Sequence, residues 1–378
     1  MANRRLAQTV FVFQGGGALG AYQAGVAEAL GAAGIAPDWL VGTSIGAINA
    51  TLMAGNPPGD RLAALREFWS RVTRPALPEV GLPLTPPLAS VWPQGLQAWS
   101  TWQTLMGGIP GFFRPRGPRA WDLNRRMPLA ELGFYDTAPL ADTLRELVDF
   151  DRIAAAETRL TLCAVDVAAG RMRRFDNRDP SQRLGPEHVL ASGALPPGFA
   201  PVPIGDAAYW DGGIYSNTPL DVVLGDGERR DTLCFMVDLW DAREAAPQTM
   251  AQALKRLKDI QYASRMCEQL DEHQKLQNLR RAVRLLGRRL DARSAADPAI
   301  KALLAQGCDA RFDVVHLVMQ SQPGEDSWRD IDFTPQRLQS RWAAGLADAG
   351  RLLAEAPWRQ PLEDDTGMRV HTLARDCD

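Results

Sequence analysis

Two stretches of the chain hold residues whose types and spacing can do chemistry. The first is FVFQGGGALG, from Phe11 to Gly20, an apolar run that ends in Gly15-Gly16-Gly17 with Gly20 close behind. Successive glycines carry a large conformational-entropy cost and are kept where backbone must come close to something. A strand, a glycine turn and a helix start together aim free N–H groups at one point, which makes an anion site. Gly15-x-Gly17-x-x-Gly20 fits a dinucleotide pyrophosphate, and it fits equally an oxyanion that exists only in a transition state. A dinucleotide site needs an acidic residue closing the second strand. Asp38 instead precedes the apolar stretch Trp39-Leu40-Val41, which argues against a ribose contact.

The second stretch is Gly42-Thr43-Ser44-Ile45-Gly46, a GxSxG with a short apolar run before it and a helix-favouring run after it. Strand, turn and helix are the context a nucleophile elbow requires, with Ser44 Oγ presented above the sheet at a helix N-terminus. Far downstream, Asp211-Gly212-Gly213 follows the apolar pair Tyr209-Trp210 and places a carboxylate at a turn. Alone, that triplet reads as an ordinary turn.

The ordered set of GxGxxG loop, GxSxG and DGG, with the block ASGALPPGFAPVPIGDAAYWDGGIYSN around Asp211, resembles the patatin-like phospholipases over roughly residues 9 to 225. The resemblance implies a three-layer α/β/α fold and a Ser–Asp dyad hydrolase that uses neither cofactor nor metal. Carried over, Ser44 is the nucleophile and Asp211 its base. The N–H groups of the loop Gly15, Gly16, Gly17 and Gly20, those around Gly16 and Gly17 foremost, form the oxyanion hole. Two positions depart from the family pattern: Gln14 stands where many members have Asp, and Leu19 where many have a basic residue. Both flank the oxyanion loop, which implies a difference in specificity.

Ester cleavage needs an activated hydroxyl, a proton acceptor and donors for the developing oxyanion. A partly desolvated carboxylate can be that acceptor. A Ser–Asp–His triad is the competing scheme, and His273, His316 and His371 follow Asp211 in the chain. His273 lies in the charged LDEHQKL and reads as solvated, His316 inside a strand-like run as a structural histidine, and His371 near the tail; none has a catalytic turn context. The dyad is therefore preferred.

Composition fits such an enzyme. The 378 residues suffice for one large or two ordinary domains, and a net charge of −3 gives no case for nucleic acid. Five scattered cysteines without CxxC spacing read as reduced cytosolic thiols. The Arg4-Arg5 start could pass for a secretory signal, but cleavage there would remove the oxyanion loop. No run reaches the ~18 apolar residues of a membrane span.

Around these motifs, Val10 to Met53 alternates strand and helix, which predicts a parallel sheet covered by helices. Helices are expected over 62–72 and 140–148, strands over 159–167 and 233–239, and a hairpin closing at Phe175-Asp176. An insertion over 73–120, rich in Pro, Gly, Trp and Phe, is expected as a lid or acyl-chain groove beside Ser44. Residues 226–378 form a mostly helical C-terminal extension, with a late strand over 313–319 and a helix capped by Thr334 with Pro335 first. Leu276, Leu279, Val283, Leu286 and Leu290 give an amphipathic helix whose arginine-rich face is solvated or docks on anionic lipid. The expected substrate is a phospholipid or lysophospholipid, with the chain cytoplasmic or peripheral at a membrane. The alternatives are a soluble carboxylesterase, an intracellular polyester depolymerase, and a non-catalytic nucleotide-binding or scaffold protein.

Overall fold

A computed structural model describes residues 7–74, 102, 104–263 and 266–372. Arg4-Arg5, Trp92, Trp99 and Cys377 lie outside the described residues. The chain opens with β1 (Gln8–Phe13), α1 (Ala21–Ala32), β2 (Trp39–Thr43), α2 (Ile45–Ala54) and α3 (Arg61–Arg71). It continues through β3 (Arg114–Pro115), β4 (Tyr135–Asp136), α4 (Ala138–Leu147), α5 (Phe150–Ala154), β5 (Arg159–Asp166) and β6 (Arg171–Asp176). Next come α6 (Pro186–Ser192), β7 (Val202–Ile204), β8 (Ala207–Asp211), α7 (Leu220–Leu224) and β9 (Thr232–Asp238). The rest comprises α8 (Met250–Tyr262), α9 (Met266–Gly287), α10 (Ala292–Ala296), α11 (Pro298–Leu304), β10 (Phe312–Val318), α12 (Pro335–Glu355) and β11 (Met368–Thr372).

Six strands run parallel in the order β11-β10-β9-β1-β2-β5, and β6, β8 and β7 add antiparallel pairings beyond β5. The central strands are buried on both faces, as a helix-covered parallel sheet demands. Alternate residues of β1 serve two cores: Phe11 and Phe13 pack with Tyr22 and Leu30, Val10 and Val12 with Trp39 and Val41.

The pairing of β5 decides the site. Its residues 161–166 pair with β6, so β2 (opposite residues 159–163) and β8 (opposite 164–166) must share the other edge. Thr43 is in register with Cys163 and Asp211 with Ala164, so the two strands run toward each other and meet end to end. Residues Ser44 and Asp211, 167 positions apart in the chain, are thereby brought to one spot.

Sequence beyond residue 225 joins the same sheet and the same core. β10 extends β9, and β11, which was not expected from the sequence, extends β10. Helix α12 lies so close on α1 that a Cβ added to Gly25 would stand 2.0 Å from the Trp342 carbonyl oxygen. The Tyr22 hydroxyl donates to Asp348 at 2.8 Å across that contact. Thr334 does occupy the N-cap position, but its hydroxyl donates to Asp332 instead of capping the helix.

The amphipathic reading of α9 is overturned. Arg281 is buried, donating to the Asp364 carbonyl and to Asp309, while Arg284 and Arg288 also donate to Asp309. Leu276, Leu279, Leu286 and Leu290 are exposed. Helix α8 likewise buries charge, with Lys255 and Asp259 inside and Met250, Leu254, Leu257 and Ile260 facing outward. Both helices are seated by ion pairs with neighbouring loops, which periodicity of apolar residues cannot reveal.

Candidate active site

Ser44 sits between β2 and α2 with φ 56° and ψ −125°, a left-handed conformation rare for a residue with a Cβ. The turn is crowded. A Cβ on Gly42 would stand 2.4 Å from the Gly46 carbonyl oxygen, and one on Gly46 would stand 2.3 Å from that of Phe13. Thr43 and Ile45 on either side are buried. The Ser44 N–H donates to both the carbonyl and the hydroxyl oxygen of Ser192, each at 3.1 Å, and the Ser192 hydroxyl donates to the Cys163 carbonyl at 2.6 Å. Helix α6 thus ties the elbow to β5.

Asp211 closes β8 with only 2 % of its surface exposed. Burial pushes its carboxyl up to about 7, against hydrogen bonds from the Ser44 side chain and the Gly213 N–H that favour the charged form. The Gly213 bond is 2.7 Å long, and Gly212 packs against Thr43 and the Cys163 carbonyl. Ser44 and Asp211 therefore lie side by side in a desolvated spot.

The glycine loop covers this pair from the C-terminal end of β1. A Cβ on Gly15 would stand 3.0 Å from that of Ser44 and 2.5 Å from Asn217 Oδ1, while Gly20 packs on Ile45. Gly17 has φ +54°, and a Cβ there would meet the Asp330 carbonyl oxygen at 2.2 Å. Among the described residues no acceptor takes the N–H groups of Gly16 or Gly17. Asn217 and Trp240 hold the Gly15 carbonyl at 3.1 and 2.8 Å.

Gly15, Gly16, Gly17, Ser44, Asp211 and Gly213 line one cavity of about 110 Å³. Its remaining wall is largely apolar: Ile48, Phe112, Phe113, Leu195, Phe199 and Phe333. The Tyr262 phenol, which also lines it, is pushed up to about 12 by burial and then by Asp330 and Asp211, so it stays neutral. Phe112 and Phe113 come from the insertion expected beside Ser44.

None of the four histidines lines the cavity. His316 Nε2 pairs with Asp238 at 2.9 Å and His371 Nε2 with Asp313 at 2.7 Å, both within the sheet. His273 is half-buried on α9 rather than solvated. Gln14 and Leu19 do not line the cavity themselves. The Gln14 carboxamide is buried, accepting from the Leu239 and Trp240 N–H groups and donating to the Tyr262 carbonyl. Asp38 sits at the opposite end of the sheet, where it accepts from the Thr9 N–H at 2.7 Å.

A family model described as "Patatin-like phospholipase" matches residues 11–224, and a second, "Patatin phospholipase", matches 260–365. The chain belongs to the patatin-like phospholipase family. Membership makes it a lipid acyl hydrolase. Among solved structures it is similar to VipD from Legionella pneumophila, at 15% identity and a TM-score of 0.36, over 92% of this chain and 67% of that one. It is also similar to a chain in the structure of full-length SpcU with full-length ExoU, from the type III secretion system of Pseudomonas aeruginosa. There the identity is 17% and the TM-score 0.24, over 94% of this chain and 80% of that one. No curated protein sequence matches the chain.

In this patatin-like chain the region matched by the second family model also builds the site. Tyr262, Asp330, Ile331 and Phe333 line the cavity although they lie far beyond the three motifs. Sequence reading missed them because nothing local marks them. Ser192 and Asn217 were within reach, since both belong to the block quoted around Asp211. The loop carrying Ile331 and Phe333 is held by buried ion pairs. Arg329 bridges Asp259 at 2.9 Å and Glu325 at 3.2 Å, and Glu325 receives Arg341 at 3.0 Å.

Proposed function

We propose that the chain is a serine acyl-ester hydrolase working through a Ser44–Asp211 dyad without cofactor or metal. The observation that carries this reading is that Ser44 and the buried Asp211 stand together at the wall of one largely apolar cavity, where the Ser44 side chain favours the charged carboxylate. Asp211 takes the Ser44 proton as Oγ attacks the ester carbonyl. The N–H groups of Gly16 and Gly17, with the N-terminal end of α2, stabilise the oxyanion. Collapse expels the alcohol, which takes the proton from Asp211. Water then attacks the acyl-Ser44 ester, with Asp211 again the base.

The substrate is an acyl ester of the phospholipid or lysophospholipid class, with the enzyme in the cytoplasm and peripheral at a membrane. No described helix is long and apolar enough to cross one. The cavity volume favours a second substrate reading. At about 110 Å³ it falls below the ~300 Å³ of ordinary ligand pockets, which suits a short acyl group such as that of a soluble ester or polyester unit. A dinucleotide-binding role is opposed by the distance of Asp38 from the glycine loop, at the other end of the sheet.

Fluorophosphonate labelling tests the nucleophile. The parent is expected to label and to hydrolyse a panel of phospholipids and short esters. A folded Ser44→Ala variant is expected to do neither, and labelling retained in that variant would end the proposal.

A further inference from the structure

The chain between Phe113 and Phe134 leaves the cavity wall and returns to it. Phe113 lines the cavity and packs edge-on against Tyr135 and Phe199, at 4.9 and 5.3 Å between ring centroids. On return, the Phe134 and Tyr135 N–H groups donate to the Pro197 and Gly198 carbonyls at 3.2 and 2.9 Å. Both ends of the arm are thus fixed beside Ser44.

The arm between them has an unusual surface. Residues 114–132 carry five arginines (Arg114, Arg116, Arg119, Arg125 and Arg126) against only Asp122 and Glu131, in a chain whose net charge is −3. All five arginines line a second, open cavity of about 450 Å³. Asp136 pairs with Arg114 and Arg116, but among the described residues no ion pair engages Arg119, Arg125 or Arg126. Interleaved with them are apolar side chains in water: Leu123 is 81 % exposed, Trp121 49 %, Leu129 45 % and Leu132 40 %. One face of the Trp121 ring stacks on Phe134 at 4.3 Å, and the ring remains half-exposed at the surface.

Cations without partners need anions, and exposed leucine with tryptophan needs an apolar phase. An anionic bilayer offers both within one interface, phosphate above and acyl chain below. We propose that the 114–132 arm is a docking surface for anionic phospholipid bilayers. Arg119, Arg125 and Arg126 engage headgroup phosphates, and Trp121, Leu123, Leu129 and Leu132 enter the interface, setting the Ser44 cavity against lipid. The consequence for catalysis rests on the hydrolase reading above; docking itself does not.

Binding is therefore measured on full-length Ser44→Ala protein, which cannot consume its vesicles, by sedimentation with sucrose-loaded phosphatidylcholine, with and without a third of phosphatidylglycerol. Binding is expected only with phosphatidylglycerol and is expected to fall steeply as salt shortens the screening length. Replacing Arg119, Arg125 and Arg126 together by Gln is expected to lower the partition coefficient on the order of 100-fold. The pair Trp121→Ser and Leu123→Ser is expected to lower it as well. In the protein that keeps Ser44, the three glutamines are expected to leave turnover of a short soluble ester unchanged.

Equal partition of the glutamine variant and its parent would overturn the proposal. So would binding that survives those changes but is lost with Leu254→Ser and Leu257→Ser, which would move the docking face to α8. Loss of soluble-ester turnover together with binding would also overturn it, by showing that the arm only supports the cavity wall. Vesicle binding that behaves as expected in a protein that hydrolyses no ester would uphold docking and defeat the hydrolase reading instead.

Discussion

Asp211→Asn separates what the buried carboxylate costs the fold from what it does for the reaction. Burial moves the carboxyl from 3.8 to about 7. Below the lower value the group is protonated in both folded and unfolded chains and contributes no difference. Between the two values the folded chain keeps a proton that the unfolded chain has released, so stability falls as pH rises through this window. Above about 7 the cost is complete, roughly 4 kcal/mol at 1.36 kcal/mol per pKa unit. Asn is neutral throughout, with a carbonyl oxygen still able to accept from the Gly213 N–H. The variant is expected to match its parent near pH 4 and to exceed its stability by up to roughly 4 kcal/mol near pH 8. Urea unfolding followed by circular dichroism, extrapolated linearly at each pH, reads this difference. Over the same range the parent's hydrolysis of a short nitrophenyl ester is expected to rise as Asp211 ionises. Above about pH 7 the variant is expected to be slower by ~10²–10⁴-fold, and the gap is expected to narrow as pH falls and the parent's carboxyl takes up its proton. A stability difference that does not change with pH would refute the desolvation argument. Undiminished turnover in the variant would refute the base.

Gly17→Ala pushes a methyl group toward the Asp330 carbonyl in a backbone conformation that alanine resists, and is expected to lower kcat by about 10²-fold through displaced oxyanion donors, read by steady-state kinetics. Glu325→Gln takes the paired carboxylate from buried Arg341 and leaves buried Arg329 with Asp259 alone. It is expected to cost about 3–5 kcal/mol in chemical unfolding and to alter KM, since the same loop carries Ile331 and Phe333 into the cavity. His316→Gln and His371→Gln are expected to keep turnover within a few-fold of the parent in the ester assay. A folded histidine variant as inactive as Ser44→Ala would restore the triad.

The chemistry of this protein is local, and the sequence determined it. A strand that breaks into glycines, a serine between Gly42 and Gly46, and a carboxylate before Gly212 can each be read within a few residues. Each depends on backbone that only those residue types can adopt or approach. The alternation from β1 to α2 and the strands β5, β9 and β10 were legible for the same reason, because apolar runs and turn residues report on their own neighbourhood.

Tertiary structure alone decided the rest. Ser44 and Asp211 meet because β2 and β8 share one edge of β5, a pairing written in register and not in either motif. The face of α9 was misread because Arg281 is drawn inward by partners that lie elsewhere in the chain, as Lys255 and Asp259 are on α8. A charged side chain follows its counter-ion whatever the apolar periodicity of its own helix. Phe333 and Ile331 line the cavity for a similar reason: a buried ion network, assembled from α8, α12 and the loop between β10 and α12, fixes where that loop lies. Burial sets the Asp211 carboxyl near neutrality, and burial is a property of the assembled core rather than of any stretch of sequence.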